Sequence, residues 1–122
     1  MKRFLMNITG VILVSLALPA FVSAHANLDH AEPKVGVTVN QSPKEVKIWF
    51  SQSVEPAFST IEVFDSGGKQ IDKKDLHVDK ADKTILIVSV PDLGPGTYKV
   101  VWHVVSTDTH KTHGDFKFTV KR

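Results

Sequence analysis

Six histidines, at positions 25, 30, 77, 103, 110 and 113, are the residues of this 122-residue sequence best suited to metal chemistry. Two positions separate Asp108 from His110 in the segment STDTHKTHG, which follows an apolar run. If both lie at the end of a strand, the two-residue period turns their side chains to the same side. A carboxylate and an imidazole could then share one metal ion. The spacing alone is a weak indication, because a loop ion pair or a capped turn would look the same.

His25 would become the first residue of the protein if a leader peptide were cleaved immediately before it. Residues 1–24 begin with Lys2 and Arg3, continue as an apolar run and end in the small residues VSA, which is typical of a secretory signal peptide. A transmembrane anchor is the alternative, but polar residues and glycine leave an uninterrupted run shorter than the roughly 18 to 20 residues of a span. We predict a signal peptide over 1–24, a mature domain over 25–122 and no membrane-embedded segment in the mature protein.

Cleavage after Ala24 would make His25 the first residue, with its α-amine and its ring Nδ1 both available to one ion. Together with Asp108 and His110 this gives three nitrogens and one oxygen, a set that favours copper(II). Zinc could use the same ligands but prefers a tetrahedron. A cut after Ala26, in the segment AHA, would instead leave Asn27 first and destroy the chelate. The sequence leaves this choice open.

The composition argues against two other kinds of site. The net charge of +2 comes from the leader, and the mature chain has 13 basic and 13 acidic residues. A nucleic-acid partner, which requires a clustered basic surface, is therefore not expected. Both methionines, Met1 and Met6, lie in the leader and the chain has no cysteine. A copper(I) site, which prefers sulfur ligands, is not expected either.

The elements that must position these residues read as strands. Apolar residues alternate with polar ones in EVKIWF, STIEVFD, TYKVVWHVVS and DFKFTV, whereas KTILIVSV is almost continuously apolar and fits a strand covered on both faces. Turn sequences such as DSGGK and DLGPG separate them. Tyr98, just after a Pro-Gly turn, resembles a tyrosine corner, and Trp49 and Trp102 are predicted core residues. The pattern predicts an all-β, immunoglobulin-like Greek-key sandwich, with His77 and His103 in surface or structural roles.

The longer segments HANLDHAEPKVGV, PKEVKIWFSQSVEPAFSTIEVFDSGGK and LGPGTYKVVWHVVSTDTHKTHGDFKFTV together resemble the CopC (YobA-type) family of periplasmic copper-resistance proteins. The resemblance covers essentially the whole mature chain. It implies a Greek-key sandwich or barrel of about seven strands, cleavage before His25, and one copper(II) ion per chain. That ion would be held by the amine and ring of His25, by Asp108 and by His110.

The resemblance has further implications and some departures. It implies a periplasmic location, and an inner-membrane copper transporter of the CopD type as a partner. Some members carry an acid where this chain has Gln52, which could supply only a weak neutral oxygen or a hydrogen bond to a ligand. Lys111 follows the Asp-Thr-His segment where the family often has proline. His30 and His113 are expected to be spectators, or to hold a second ion loosely.

We therefore predict a copper(II)-binding protein of copper homeostasis or resistance, which sequesters or delivers the ion and is not an enzyme. Two alternatives belong to other classes. One is a copper-brace oxidative enzyme, in which a terminal histidine also binds copper. The other is a metal-free immunoglobulin-like interaction module whose histidines are incidental.

Overall fold

The computed structural model describes residues 26–122, and the chain in this range forms two β-sheets packed face to face. The predicted signal peptide and His25 lie outside the described residues. The strands are β1 (Leu28–Glu32), β2 (Thr38–Val39), β3 (Glu45–Phe50), β4 (Thr60–Phe64), β5 (His77–Val78), β6 (Ile85–Ser89), β7 (Gly96–Val105) and β8 (Lys111–Val120). A short 3₁₀ turn, Pro56–Phe58, precedes β4.

One sheet has the strand order β1-β3-β6-β5 and the other β2-β8-β7-β4. All pairs are antiparallel except β2 with β8. The predicted all-β sandwich is confirmed. The described range has eight strands rather than about seven. Two of the eight, β2 and β5, are edge strands of only two residues each. Within residues 26–122 no helix is long and apolar enough to cross a membrane.

The core consists of the alternate residues that the periodicity assigns to the inner faces. Their side chains remove apolar surface from water, which is the main force holding two sheets together. The buried inward-facing residues of the four alternating strands are Val46, Ile48, Phe50, Ile61, Val63, Tyr98, Val100, Trp102, Val104, Phe116, Phe118 and Val120. In β6 four successive residues are buried, which confirms a strand covered on both faces.

The tyrosine corner is also confirmed. The Tyr98 hydroxyl donates a hydrogen bond of 2.7 Å to the carbonyl oxygen of Gly94, four residues earlier. This bond joins the turn before β7 to the first residues of the strand. It fixes the start of the long β7–β8 hairpin, whose opposite end carries the candidate metal ligands.

The prediction that both tryptophans are core residues is wrong for Trp49. Trp102 is buried and meets the ring of Phe50 edge-on, with ring centroids 5.3 Å apart. Trp49 falls in the other phase of β3, so it lies half-buried on the outer face of its sheet. There the His30 ring stacks on it at 4.3 Å, and the Lys47 ammonium lies 5.4 Å from its centre.

Candidate metal centre

Asp108 and His110 lie in the loop that joins β7 to β8. Ten residue pairs link the two strands, from Gly96–Val120 to Val105–Lys111, and the chain reverses over residues 106–110. The Ser106 N–H donates to the His110 carbonyl (2.9 Å), and the Thr109 N–H donates to the Ser106 carbonyl (2.8 Å). These bonds close a tight three-residue turn of the kind that ends in a left-handed residue.

This loop corrects the reason given for the pairing of the two candidate ligands. They do not alternate along a strand, because β7 ends at Val105 and β8 begins at Lys111. Thr109, between them, has φ 71°, a conformation that costs a β-branched residue free energy. The turn, rather than the strand period, brings the two side chains to one side.

The two side chains contact each other. His110 Nδ1 lies 3.3 Å from Asp108 Oδ1, and the side chains are 52% and 42% exposed, respectively. The hydroxyl of Ser106, a fully buried residue, donates to the same Asp108 oxygen. That hydrogen bond is the main reason why the pKa of Asp108 lies below its ordinary value, and the nearby His110 lowers it further. The carboxylate is therefore ionised at neutral pH, as a metal ligand must be.

The segment after β3 borders this loop. The Thr107 N–H donates to the Ser53 carbonyl (3.1 Å), and Val54 forms an isolated antiparallel bridge with Ser106. Gln52 is half-buried in this segment. Gln52 is thus on the side of the sandwich that carries Asp108 and His110.

The described chain begins at the same end of the sandwich. Ala26 is completely buried, and its carbonyl oxygen accepts a hydrogen bond from the Thr112 hydroxyl. Next to it, the Asn27 N–H donates to Ser51 Oγ (3.0 Å), and the Ser51 N–H donates to the Asn27 carbonyl (2.8 Å). The start of the domain is therefore held against β8 two residues beyond His110, and against the end of β3.

The predicted ligand set is only partly within the described range. Asp108 and His110 are brought together, whereas His25 lies outside the described residues. Over residues 26–122 the structure forms no group of three His, Cys, Asp or Glu side chains that could hold a metal ion. The two described ligands would thus need further donors to make a full site.

The remaining histidines lie on the two outer faces. His30 contacts Asp29 (Nδ1–Oδ2, 2.8 Å) on the face that carries Trp49, so it cannot share an ion with His113 on the other sheet. His77 is exposed and its ring Nδ1 lies 2.9 Å from the Asp75 carbonyl oxygen. His113 faces His103 across the hairpin, with ring centroids 5.6 Å apart. This last pair was not predicted, because it depends on the register of the hairpin.

Comparisons with known proteins agree with this architecture. The family model described as the CopC domain matches residues 28–121. Protein YobA of Escherichia coli K12 is 38% identical over 120 residues, covering 98% of this chain and 96% of that protein. Copper resistance protein C of Pseudomonas syringae pv. tomato is 29% identical over 126 residues, covering 96% and 99% of the two chains.

The crystal structure of CopC from Methylosinus trichosporium OB3b superposes with a TM-score of 0.75 and 36% identity, covering 80% of this chain and 94% of that one. A second match is PcoC, described as a methionine-rich copper resistance protein from Escherichia coli, at a TM-score of 0.71 and 28% identity over 80% of this chain and all of that one. This chain has no methionine after Met6. The matched family model spans nearly all of the described sandwich, and we conclude that the chain belongs to the CopC family.

Proposed function

We propose that this protein is exported to the periplasm, where it binds one copper(II) ion and sequesters or delivers it. Relatives named for copper resistance support the choice of metal. The structural observation that carries the proposal is the anchoring of buried Ala26 to Thr112, beside the Asp108–His110 loop. It brings the beginning of the domain and the two described candidate ligands to one end of the sandwich.

The proposed ligands are the α-amine and ring of His25, the carboxylate of Asp108 and the ring of His110. Covalent geometry puts the Cα of the residue before Ala26 about 3.8 Å from the Cα of Ala26. Thr112 lies two residues, or about 7 Å, along the chain from His110. Both distances are short, so a terminal histidine before Ala26 would lie near His110 and could complete the ligand set.

The burial of Ala26 also favours one of the two possible cleavage sites. Cleavage after Ala26 would remove a core residue and the acceptor of the Thr112 hydrogen bond. Cleavage after Ala24 would retain both. We therefore propose that the mature domain is 25–122, with His25 at its amino terminus.

The proposed donor set is suited to copper(II). It contains three nitrogens and one carboxylate oxygen, which suit a tetragonal ion, and copper(II) binds most tightly in the divalent series. Ser106 keeps Asp108 ionised and oriented before the ion arrives, because its hydroxyl donates to the carboxylate. Protons compete with the ion for all three nitrogens, so binding weakens as the pH falls.

The exposure of Asp108 and His110 is compatible with transfer of the ion to another protein. Both side chains are about half exposed, so an incoming ligand could reach the ion without the sandwich opening. We propose an inner-membrane copper transporter of the CopD type as the receiving partner. The ligands of this chain would stay in place, and the partner would supply ligands that compete for the ion.

Two measurements test the proposed function. Intact-mass spectrometry of the exported protein should give a chain that begins at His25. A competition titration with copper(II) should then show one tight ion, weakened strongly in His25→Ala and in His110→Ala. His77→Ala is the matched control, because His77 is an exposed histidine on the other sheet. A chain that begins at Asn27, or equal affinity in all four proteins, would contradict the proposal.

A further inference from the structure

His103 and His113 face each other on the outer surface of the β7–β8 hairpin. They are directly opposite in the strand register, both are exposed, and their rings are separated by 5.6 Å between centroids with 27° between planes. His30 and His77, the other described histidines outside the loop, are each alone on the opposite sheet. A pair of imidazoles on adjacent strands is a potential chelate.

The pattern of backbone hydrogen bonds indicates how far apart the Cα atoms of His103 and His113 are. The Val105 N–H donates to Ser59 Oγ (3.1 Å) and the Val105 carbonyl accepts from the Glu55 N–H (2.8 Å), so both groups point away from β8. The Val105–Lys111 pair is therefore a non-hydrogen-bonded pair. Two residues along the ladder, His103–His113 belongs to the same class, in which opposed Cα atoms are only about 4.5 Å apart.

We propose that His103 and His113 form a cross-strand, two-histidine site for one divalent transition-metal ion, separate from the Asp108–His110 loop. Imidazole nitrogens bind such ions at about 2.0–2.1 Å. Rings that start from Cβ atoms about 5 Å apart can converge on one ion by rotation about their side-chain bonds. Two backbone strands hold the histidines, so the rings need no loop rearrangement to meet.

The surroundings fit a site with two protein donors. The pair lines a groove of about 330 Å³, whose wall includes Phe58, a large apolar side chain that is 73% exposed. Asp115 and Lys111 each lie two residues from His113 and project from the same face of β8, so their opposite charges offset each other beside the pair. Since no three ligating side chains converge within the described range, water would occupy the remaining positions.

The proposed site lies about 10 Å along β8 from His110, at the usual rise of a strand. The pair lies on the exposed face of the paired strands, whereas Asp108 and His110 lie in the loop beyond the ends of both strands. The inference is therefore independent of the proposed function: the pair could bind an ion even if His25 is not the first residue.

Copper(II) alone is a sufficient probe of this site. We expect calorimetric titration of the mature protein to show a second, weaker ion after the first. That second ion should lose about tenfold or more in affinity in His103→Ala and in His113→Ala, because one of its two protein donors is gone. His30→Ala and His77→Ala are the matched controls, and should bind the second ion as the wild type does.

Two further variants make the test decisive. In His110→Ala the weaker ion should persist, which separates this site from the proposed tight one. His113→Gln, which retains a polar side chain on the exposed face, should bind the ion as weakly as His113→Ala and guards against a folding defect. A wild type with no second ion, or a His103→Ala/His113→Ala double variant that binds it unchanged, would overturn the inference.

Discussion

A side chain added at Gly114 should destabilise the protein, because this position packs tightly against the core. It is paired with Trp102 across the hairpin, and the indole lies directly over it. A Cβ built on Gly114 would be 2.6 Å from Trp102 Cζ2 and 2.9 Å from Cε2, whereas ordinary contacts begin at 3.4 Å. In Gly114→Ala the indole would therefore have to move by about 0.8 Å.

The buried surroundings of Trp102 resist such a movement. Its ring is only 6% exposed and meets Phe50 edge-on, so the indole cannot swing into solvent. Forcing an extra carbon into a packed core costs about 1–3 kcal/mol. For a domain of roughly 100 residues this corresponds to a Tm about 5 to 20 °C lower.

Gly94→Ala provides the matched control for this test. No heavy atom lies within 4 Å of a Cβ built on Gly94, and its φ is not positive. The same substitution there should leave the Tm unchanged or raise it slightly, because alanine restricts the unfolded chain. Thermal unfolding followed by circular dichroism compares the two variants. Equal Tm values for Gly114→Ala and Gly94→Ala would refute the packing argument.

Three further predictions concern the site, the corner and acid stability. Ser106→Ala removes the hydrogen bond that orients Asp108, so copper(II) affinity should fall about 10- to 100-fold in a competition titration. An unchanged affinity would count against the role of Asp108. Tyr98→Phe deletes the hydroxyl of the tyrosine corner and should lower the free energy of unfolding by about 1 kcal/mol in urea titrations. If Tyr98 contributed only apolar packing, this substitution would not change the free energy of unfolding. The Ser89 N–H lowers the pKa of Asp75, so the stability that this carboxylate contributes is present above about pH 4 and is lost in more acidic solution. Asp75→Asn should therefore show a smaller loss of Tm between pH 5 and pH 3 than the wild type, and an equal loss would contradict the assignment.

The sequence predicted most of the sandwich, because its strands bury one face and expose the other. Val100, Trp102 and Val104 alternate with less buried residues as the periodicity indicated. Trp49 shows where residue type misled: a large aromatic was assigned to the core, although its place in β3 put it on the outer face beside His30. Position in the alternation was a better guide than hydrophobicity.

The candidate site was predicted less completely, because loops and registers depend on contacts that a linear pattern does not contain. Asp108 and His110 were rightly expected on one side, but a turn with Thr109 in a left-handed conformation brings them together rather than a strand. The pairing of His103 with His113 required the length of the connecting loop, which sets the register of the hairpin. Neither feature could be read from residue spacing alone.

The central claim is that a free α-amine on His25 binds copper(II) together with Asp108 and His110. The most direct test compares the mature chain that begins at His25 with the same chain carrying one additional glycine before it. The extension keeps every side chain and moves only the terminal amine. We predict that copper(II) affinity, measured by competition titration, falls about a hundredfold or more in the extended chain. Equal affinity in the two proteins would contradict this account.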